Sequence, residues 1–148
     1  MIFVTAGSPA FEDLIKEVDR IAPGLKEPVI AQIGNGSYLP KNCKWFRFHT
    51  PLFSYYKKAD IVISHYGAGT IFEVLKHHKK LICLENMENI HNPDLANELS
   101  KGGFLLNCKK IGDLEKYIKR AKVYKFKKYS SPECSISDHI VKFLDKKQ

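Results

Sequence analysis

Two unbroken apolar runs, Ile61-Val62-Ile63 and Leu81-Ile82-Cys83-Leu84, constrain this chain more than any other feature. A strand with one face in water alternates apolar and polar residues, so a run apolar at every position belongs to a strand covered on both faces. Between the two runs Ile71, Val74 and Leu75 recur at helical spacing, which gives strand, helix, strand. The alternation continues along the chain. Strands are predicted over residues 2–5, 29–33, 45–48, 61–64, 81–84 and 104–106, and helical periodicity marks Phe11, Leu14, Ile15, Val18 and Ile21, then Leu95 and Leu99, then Ile111, Leu114 and Ile118. The prediction is one α/β domain over 1–148, a doubly wound, Rossmann-like parallel sheet. Ser130-Ser131-Pro132 breaks the pattern, and Ile136, Ile140, Val141, Phe143 and Leu144 predict a helical tail over 130–148.

A chain of 148 residues removes roughly two-thirds of its unfolded surface from water on folding, so a core forms without staples. No run approaches the ~18 apolar residues of a membrane span. Residues 1–7 are apolar but carry no basic leader and read as a first strand, not a targeting segment. Cys43, Cys83, Cys108 and Cys134 are widely spaced with no C-x-x-C pair, which predicts reduced thiols in a cytoplasmic setting. The net charge of +8 is concentrated between Lys109 and Lys128, where nine basic residues face two acidic ones. That stretch is either a solvated helix face and linker or a surface for anionic lipid or an acidic partner. With no nucleic-acid signature present, nucleic acid is not expected as a partner.

Open parallel sheets bind ligands beyond the carboxyl ends of their strands, so the informative residues follow each strand: Gly7-Ser8, Gly34-Asn35-Gly36, His49-Thr50, His65 to Thr70, and Glu85 to Asn92. Gly67-Ala68-Gly69-Thr70 lies between a buried strand and a helix. Its glycines let backbone approach a phosphate, and the helix end supplies N–H donors; the same tripeptide also serves simply as a tight turn. The dinucleotide fingerprint fails because Phe72 stands at its third glycine, and there is no P-loop. Glu73 has two readings: a capping box with Thr70, or a carboxylate that accepts from the two hydroxyls of a ribose. Asn92-Pro93 fits an N-cap followed by proline at the first helical position, while His91 and Asn92 also carry the groups that read sugar hydroxyls. No metal-ligand spacing occurs around His65, His77 or His78, and there is no Asp-x-Asp; neither a bound metal nor another cofactor is expected.

Four segments in this order carry a resemblance: Val4-Thr5-Ala6-Gly7-Ser8, Ile33-Gly34-Asn35-Gly36, the span from Ala59 to Glu73, and Asn89 to Leu99 with its His-x-x-x-Leu-Ala-x-x-Leu arrangement. Over about two-thirds of its length the chain resembles the carboxyl-terminal, donor-binding half of GT-B glycosyltransferases of the lipid II type, and above all their free-standing, split-subunit relatives. The resemblance implies a UDP-sugar donor, a lipid-linked acceptor, inversion at the anomeric carbon, and a membrane-anchored partner subunit that supplies the other half and recruits this one to the membrane. It implies that Gly67, Ala68, Gly69 and Thr70 cradle the diphosphate with Gly7, Ser8 and Asn35 nearby, that Glu73 binds ribose, and that His91 and Asn92 face the sugar. His65 is the one general-base candidate on this chain; the alternative is a base on the partner. The family usually carries glutamine where this chain has Asn92, and often Gly-Thr-Thr in place of Gly7-Ser8-Pro9. The competing reading from another class is a non-catalytic accessory subunit of a polysaccharide glycosyltransferase.

Overall fold

The computed structural model describes residues 1–8, 10–86 and 93–130. The elements run β1 (Ile2–Thr5), α1 (Glu12–Ile21), β2 (Val29–Gln32), β3 (Lys44–Phe46), α2 (Phe53–Lys58), β4 (Ile61–His65), α3 (Ala68–Lys76), β5 (Lys80–Leu84), α4 (Asp94–Lys101), β6 (Leu106–Cys108) and α5 (Leu114–Val123), with short 3-10 turns before β2 and α5. The six strands are all parallel in the order β3-β2-β1-β4-β5-β6. This is the predicted doubly wound sheet. The chain builds outward from β1 through β2 to β3, then crosses through α2 to β4 on the other side of β1, so the switch point lies between β1 and β4.

Alternate residues of the apolar runs feed two cores. Ile2, Val4, Ile61, Ile63, Ile82 and Leu84 pack with Leu14, Ile15 and Val18 of α1 and with Leu114 and Ile118 of α5. Phe3, Val62, Leu81 and Cys83 face the other way, against Tyr56 of α2, Ile71, Val74 and Leu75 of α3, and Ala96 of α4. Burying each large side chain is worth about 1.5–3 kcal/mol, so strands apolar at every position stabilise both layers.

Two strands fall elsewhere than predicted. The third ends at Phe46, not at residue 48, because Arg47 turns its guanidinium onto the carbonyls of Gly34 and Gly36 and Phe48 swings out to 54% exposure. The sixth starts at Leu106 in place of 104, since Phe104 N–H still closes the end of α4 on Leu99 O (2.9 Å) and Gly103 turns with φ +81°. Pro93 is the N-cap residue of α4 and Asp94 the first helical residue, one position from the predicted arrangement. Short α2 was not predicted at all. The predicted 130–148 tail lies almost wholly outside the described residues.

Two carboxylates on α1 organise the long β2–β3 connection. Asp19, 3% exposed, accepts from Tyr38 Oη (2.7 Å), Asn42 N–H (2.6 Å) and Lys41 N–H (3.0 Å). Burial pushes its pKa up, but the Asn42 N–H, the Tyr38 hydroxyl and the Lys41 N–H outweigh this and hold it below the usual value. Glu12 accepts from the hydroxyl and N–H of Ser37 and from Tyr38 N–H, and the Ser37 bonds first of all bring its pKa down to about 2.

The basic stretch divides in two. On α5, Lys119 pairs with Glu115 (2.6 Å) and Lys122 with Glu27 (2.6 Å), whereas Lys125, Lys127 and Lys128 follow the helix on exposed, non-helical chain and make no ion pair among the described residues. Among the described residues no helix is long and apolar enough to cross a membrane.

Candidate functional site

A cleft of about 740 Å³ opens at the carboxyl edge of the sheet, over the switch point. Its floor is formed by the buried strand ends Thr5, Gln32 and His65. On one side stand Gly7 and Ser8 after β1; on another Gly67, Gly69, Thr70 and Glu73 follow β4; Phe48 to Leu52 close the third.

His65 ends β4 with its ring wedged between two glycines. A β-carbon on Gly7 would lie 2.6 Å from its Cε1, and one on Gly67 would lie 2.7 Å from its Nε2; Gly7 moreover has φ +75°. Both positions therefore exclude a side chain for reasons internal to the protein. Gly69 differs. A β-carbon there would meet nothing within 4 Å among the described residues, so these do not demand glycine at that place.

Helix α3 starts at Ala68, with Gly67 as N-cap and the first intrahelical bond running from Ile71 N–H to Gly67 O (3.0 Å). The N–H groups of Ala68, Gly69 and Thr70 precede that bond and have no intrahelical acceptor, and among the described residues no side chain caps the helix. Thr70 sits too far into the helix to form the capping box with Glu73, so that reading is overturned. Glu73 instead occupies the second turn, exposed, and lines the cleft. Beneath it lies the fully buried Tyr56 hydroxyl, near enough to feel the carboxylate without a well-formed hydrogen bond; burial first, and then the Glu73 charge, push the Tyr56 pKa up.

The predicted residues that meet at the cleft are Gly7, Ser8, His49, Thr50, His65, Gly67, Gly69, Thr70 and Glu73. Ala68 belongs to the same turn without lining the cleft, and Asn35 stands behind it as a strut whose Nδ2 donates to Ser8 O (3.1 Å). His91 and Asn92 lie outside the described residues. Thr5, Gln32, Phe48, Pro51 and Leu52 line the cleft without having been predicted. Thr5 and Gln32 hide at strand ends, where a sequence shows only strand filler; Leu52 lies in a connection without periodicity.

Polar struts hold the loops. Thr5 Oγ1 accepts from Gly7 N–H (3.2 Å) and donates to Gln32 Oε1 (2.7 Å), and Asn86 Nδ2, after β5, donates to Ala10 O (3.0 Å). Tyr66, next to Gly67, donates to Asn107 Oδ1 (2.6 Å), and Asn107 Nδ2 and Lys109 Nζ both donate to Asn97 Oδ1 on α4 (2.9 and 2.6 Å). Among the described residues no cluster of three or more His, Cys, Asp or Glu could hold a metal ion.

A six-stranded parallel sheet of this order, with a glycine turn and an acidic side chain over its switch point, defines a Rossmann-like α/β domain. The chain belongs to the glycosyltransferase family 28 C-terminal domain family, whose model matches residues 1–145. It is similar to the UDP-N-acetylglucosamine transferase subunit ALG13 of Homo sapiens, 35% identical over 124 residues that take in 72% of this chain and 11% of that protein. The Mus musculus counterpart is 32% identical over 121 residues, 72% of this chain and 10% of that protein, so the chain spans about a tenth of the length of these relatives. Among solved structures, MurG of Acinetobacter baumannii superposes with a TM-score of 0.71 at 18% identity, over 98% of this chain and 49% of that one. The solution structure of ALG13 gives 0.62 at 19% identity, over 97% and 94%. At such identities these two likenesses describe the fold.

Proposed function

We propose that this chain binds a UDP-sugar in the switch-point cleft and serves as the donor-binding half of an inverting glycosyltransferase, with a separate membrane-associated polypeptide supplying the acceptor-binding half. The observation that carries the reading is the turn from Gly67 to Thr70. Three N–H groups at a helix start, an open glycine and a buried histidine at the floor together favour a diphosphate. Glu73 lines the same wall one helical turn along, which supports a role in accepting from the ribose hydroxyls, and the largely apolar wall from Phe48 to Leu52 suits the base. A cleft of about 740 Å³ has room for a nucleotide-sugar.

In transfer, an acceptor hydroxyl attacks the anomeric carbon while the UDP leaving group gains charge against these donors, which costs the protein no reorganisation. His65 is pinned at the floor among the phosphate-facing groups, a place from which it serves the leaving group. We therefore assign the proton-accepting base to the partner. His91 and Asn92 are proposed to face the sugar, taken here as N-acetylglucosamine or a related hexose, and the acceptor is proposed to be lipid-linked. The family match and the similarity to ALG13 support the donor; a fold likeness that takes in 49% of MurG supports the half-enzyme reading. Recruitment to the cytoplasmic membrane face is proposed to come through the partner, with the basic stretch from Lys109 to Lys128 adding attraction for anionic lipid.

Calorimetric titration with UDP, UDP-N-acetylglucosamine and ADP tests the donor. Binding of the uridine nucleotides in preference to ADP is expected, and equal or absent binding would sink the proposal.

A further inference from the structure

The geometry points to Gln32 as a ligand of the nucleotide diphosphate, through its side-chain Nε2, an inference that rests on the UDP-sugar reading above. Gln32 ends β2, is 5% exposed, and lines the cleft floor beside Thr5 and His65. A glutamine at such a depth costs stability unless its amide is satisfied. Only half of it is. Thr5 Oγ1, already an acceptor for Gly7 N–H, donates its proton to Gln32 Oε1 at 2.7 Å. Nε2, at the other end of the planar group, donates to no atom among the described residues and is not sealed from the cleft.

The strand register accounts for the arrangement. Thr5 is the residue opposite Gln32 in the β1–β2 ladder and opposite Ser64 in the β1–β4 ladder, one before His65. Three neighbouring strands thus end in side chains at one floor. With Oε1 committed to Thr5, the amide turns only N–H donors toward the occupant, and a diphosphate offers only acceptors. Gln32 joins the N–H groups of Ala68, Gly69 and Thr70 from the opposite side, so donors converge from β2 and from the start of α3. A purely structural glutamine needs only its Oε1, to hold the Gly7 turn through Thr5.

The test compares UDP with uridine by calorimetry, using NMR shift titration for the weaker ligand. Gln32→Glu keeps an oxygen for Thr5 and replaces the donors with a charged acceptor; Gln32→Met removes the donors without charge. The UDP affinity is expected to fall about tenfold or more in Gln32→Met and further in Gln32→Glu, as befits a hydrogen bond to a charged group. The uridine affinity should change less than twofold, since uridine carries no phosphate. Unchanged UDP binding in both variants would overturn the assignment, as would a parallel loss of UDP and uridine, which marks a structural role. If the unaltered protein binds UDP no more tightly than uridine, the diphosphate site itself is wrong and the inference goes with it.

Discussion

A β-carbon on Gly67 would stand 2.7 Å from Nε2 of His65, two residues earlier in the same turn, so the glycine and the ring fix one another's place. Gly67→Ala is expected to destabilise the fold by about 1–3 kcal/mol through this overlap. In a His65→Ala background most of that cost should vanish, giving a coupling of about 0.5–3 kcal/mol. Denaturant unfolding of the four members of the cycle measures it, and strict additivity would reject the wedge.

Gly69 is expected to behave in the opposite sense. With nothing among the described residues within 4 Å of a β-carbon, Gly69→Ala is expected to fit the unliganded protein and raise helix stability by up to about 1 kcal/mol. The new methyl group stands where a phosphate would approach the backbone. Melting temperature should hold or rise while UDP affinity falls; unaltered affinity would remove Gly69 from the site.

Glu73→Ala should abolish UDP-sugar binding with little change in stability, within about 0.5 kcal/mol for an exposed side chain without an ion pair among the described residues. The same substitution takes away the charge beside Tyr56, so the phenol should titrate at a lower pH, read by ultraviolet difference spectroscopy. Undiminished UDP affinity would end the ribose assignment.

Acid should weaken the protein in a definite window. Glu12 and Asp19 both have folded pKa values below their ordinary ones, so their stabilisation is complete above the unfolded values, near 4.5 for glutamate, and drains away as pH falls, for Glu12 through about 2. Thermal unfolding from pH 7 to 2 should show wild type losing stability below about pH 4.5 more steeply than Glu12→Gln or Asp19→Asn. Parallel curves would exclude these carboxylates as the cause.

Reversal of Lys125, Lys127 and Lys128 to glutamate should reduce co-sedimentation with anionic vesicles, more so at low salt, without loss of stability, since none of the three is ion-paired among the described residues. Unchanged sedimentation would confine membrane recruitment to the partner.

Sequence made the sheet legible because its central strands are apolar at every position, and continuous runs such as Ile61 to Ile63 admit few other folds. The edges were harder. Phe104 and Leu105 look like a strand, yet Gly103 turns and Phe104 still caps α4, so pairing waits for Leu106. Phe53 to Lys58 is too short for a helical period to show. In the site, the loop residues announced themselves through glycine, whereas Thr5 and Gln32 act by pairing across two strands, a relation that exists only once the register is set. Thr70 and Glu73 have the spacing of a capping box, but the helix had already begun at Ala68, which no local signal revealed.

The crossover between β1 and β4 means that the two sides of the cleft are contributed by residues sixty positions apart, Gly7 and Gly67. No fragment ending before β4 can hold half a nucleotide usefully, because the second lip and the histidine between them are missing. Ligand protection against proteolysis should therefore appear all at once across the chain, and a nick in the β2–β3 connection that leaves both lips associated should be tolerated far better than removal of either.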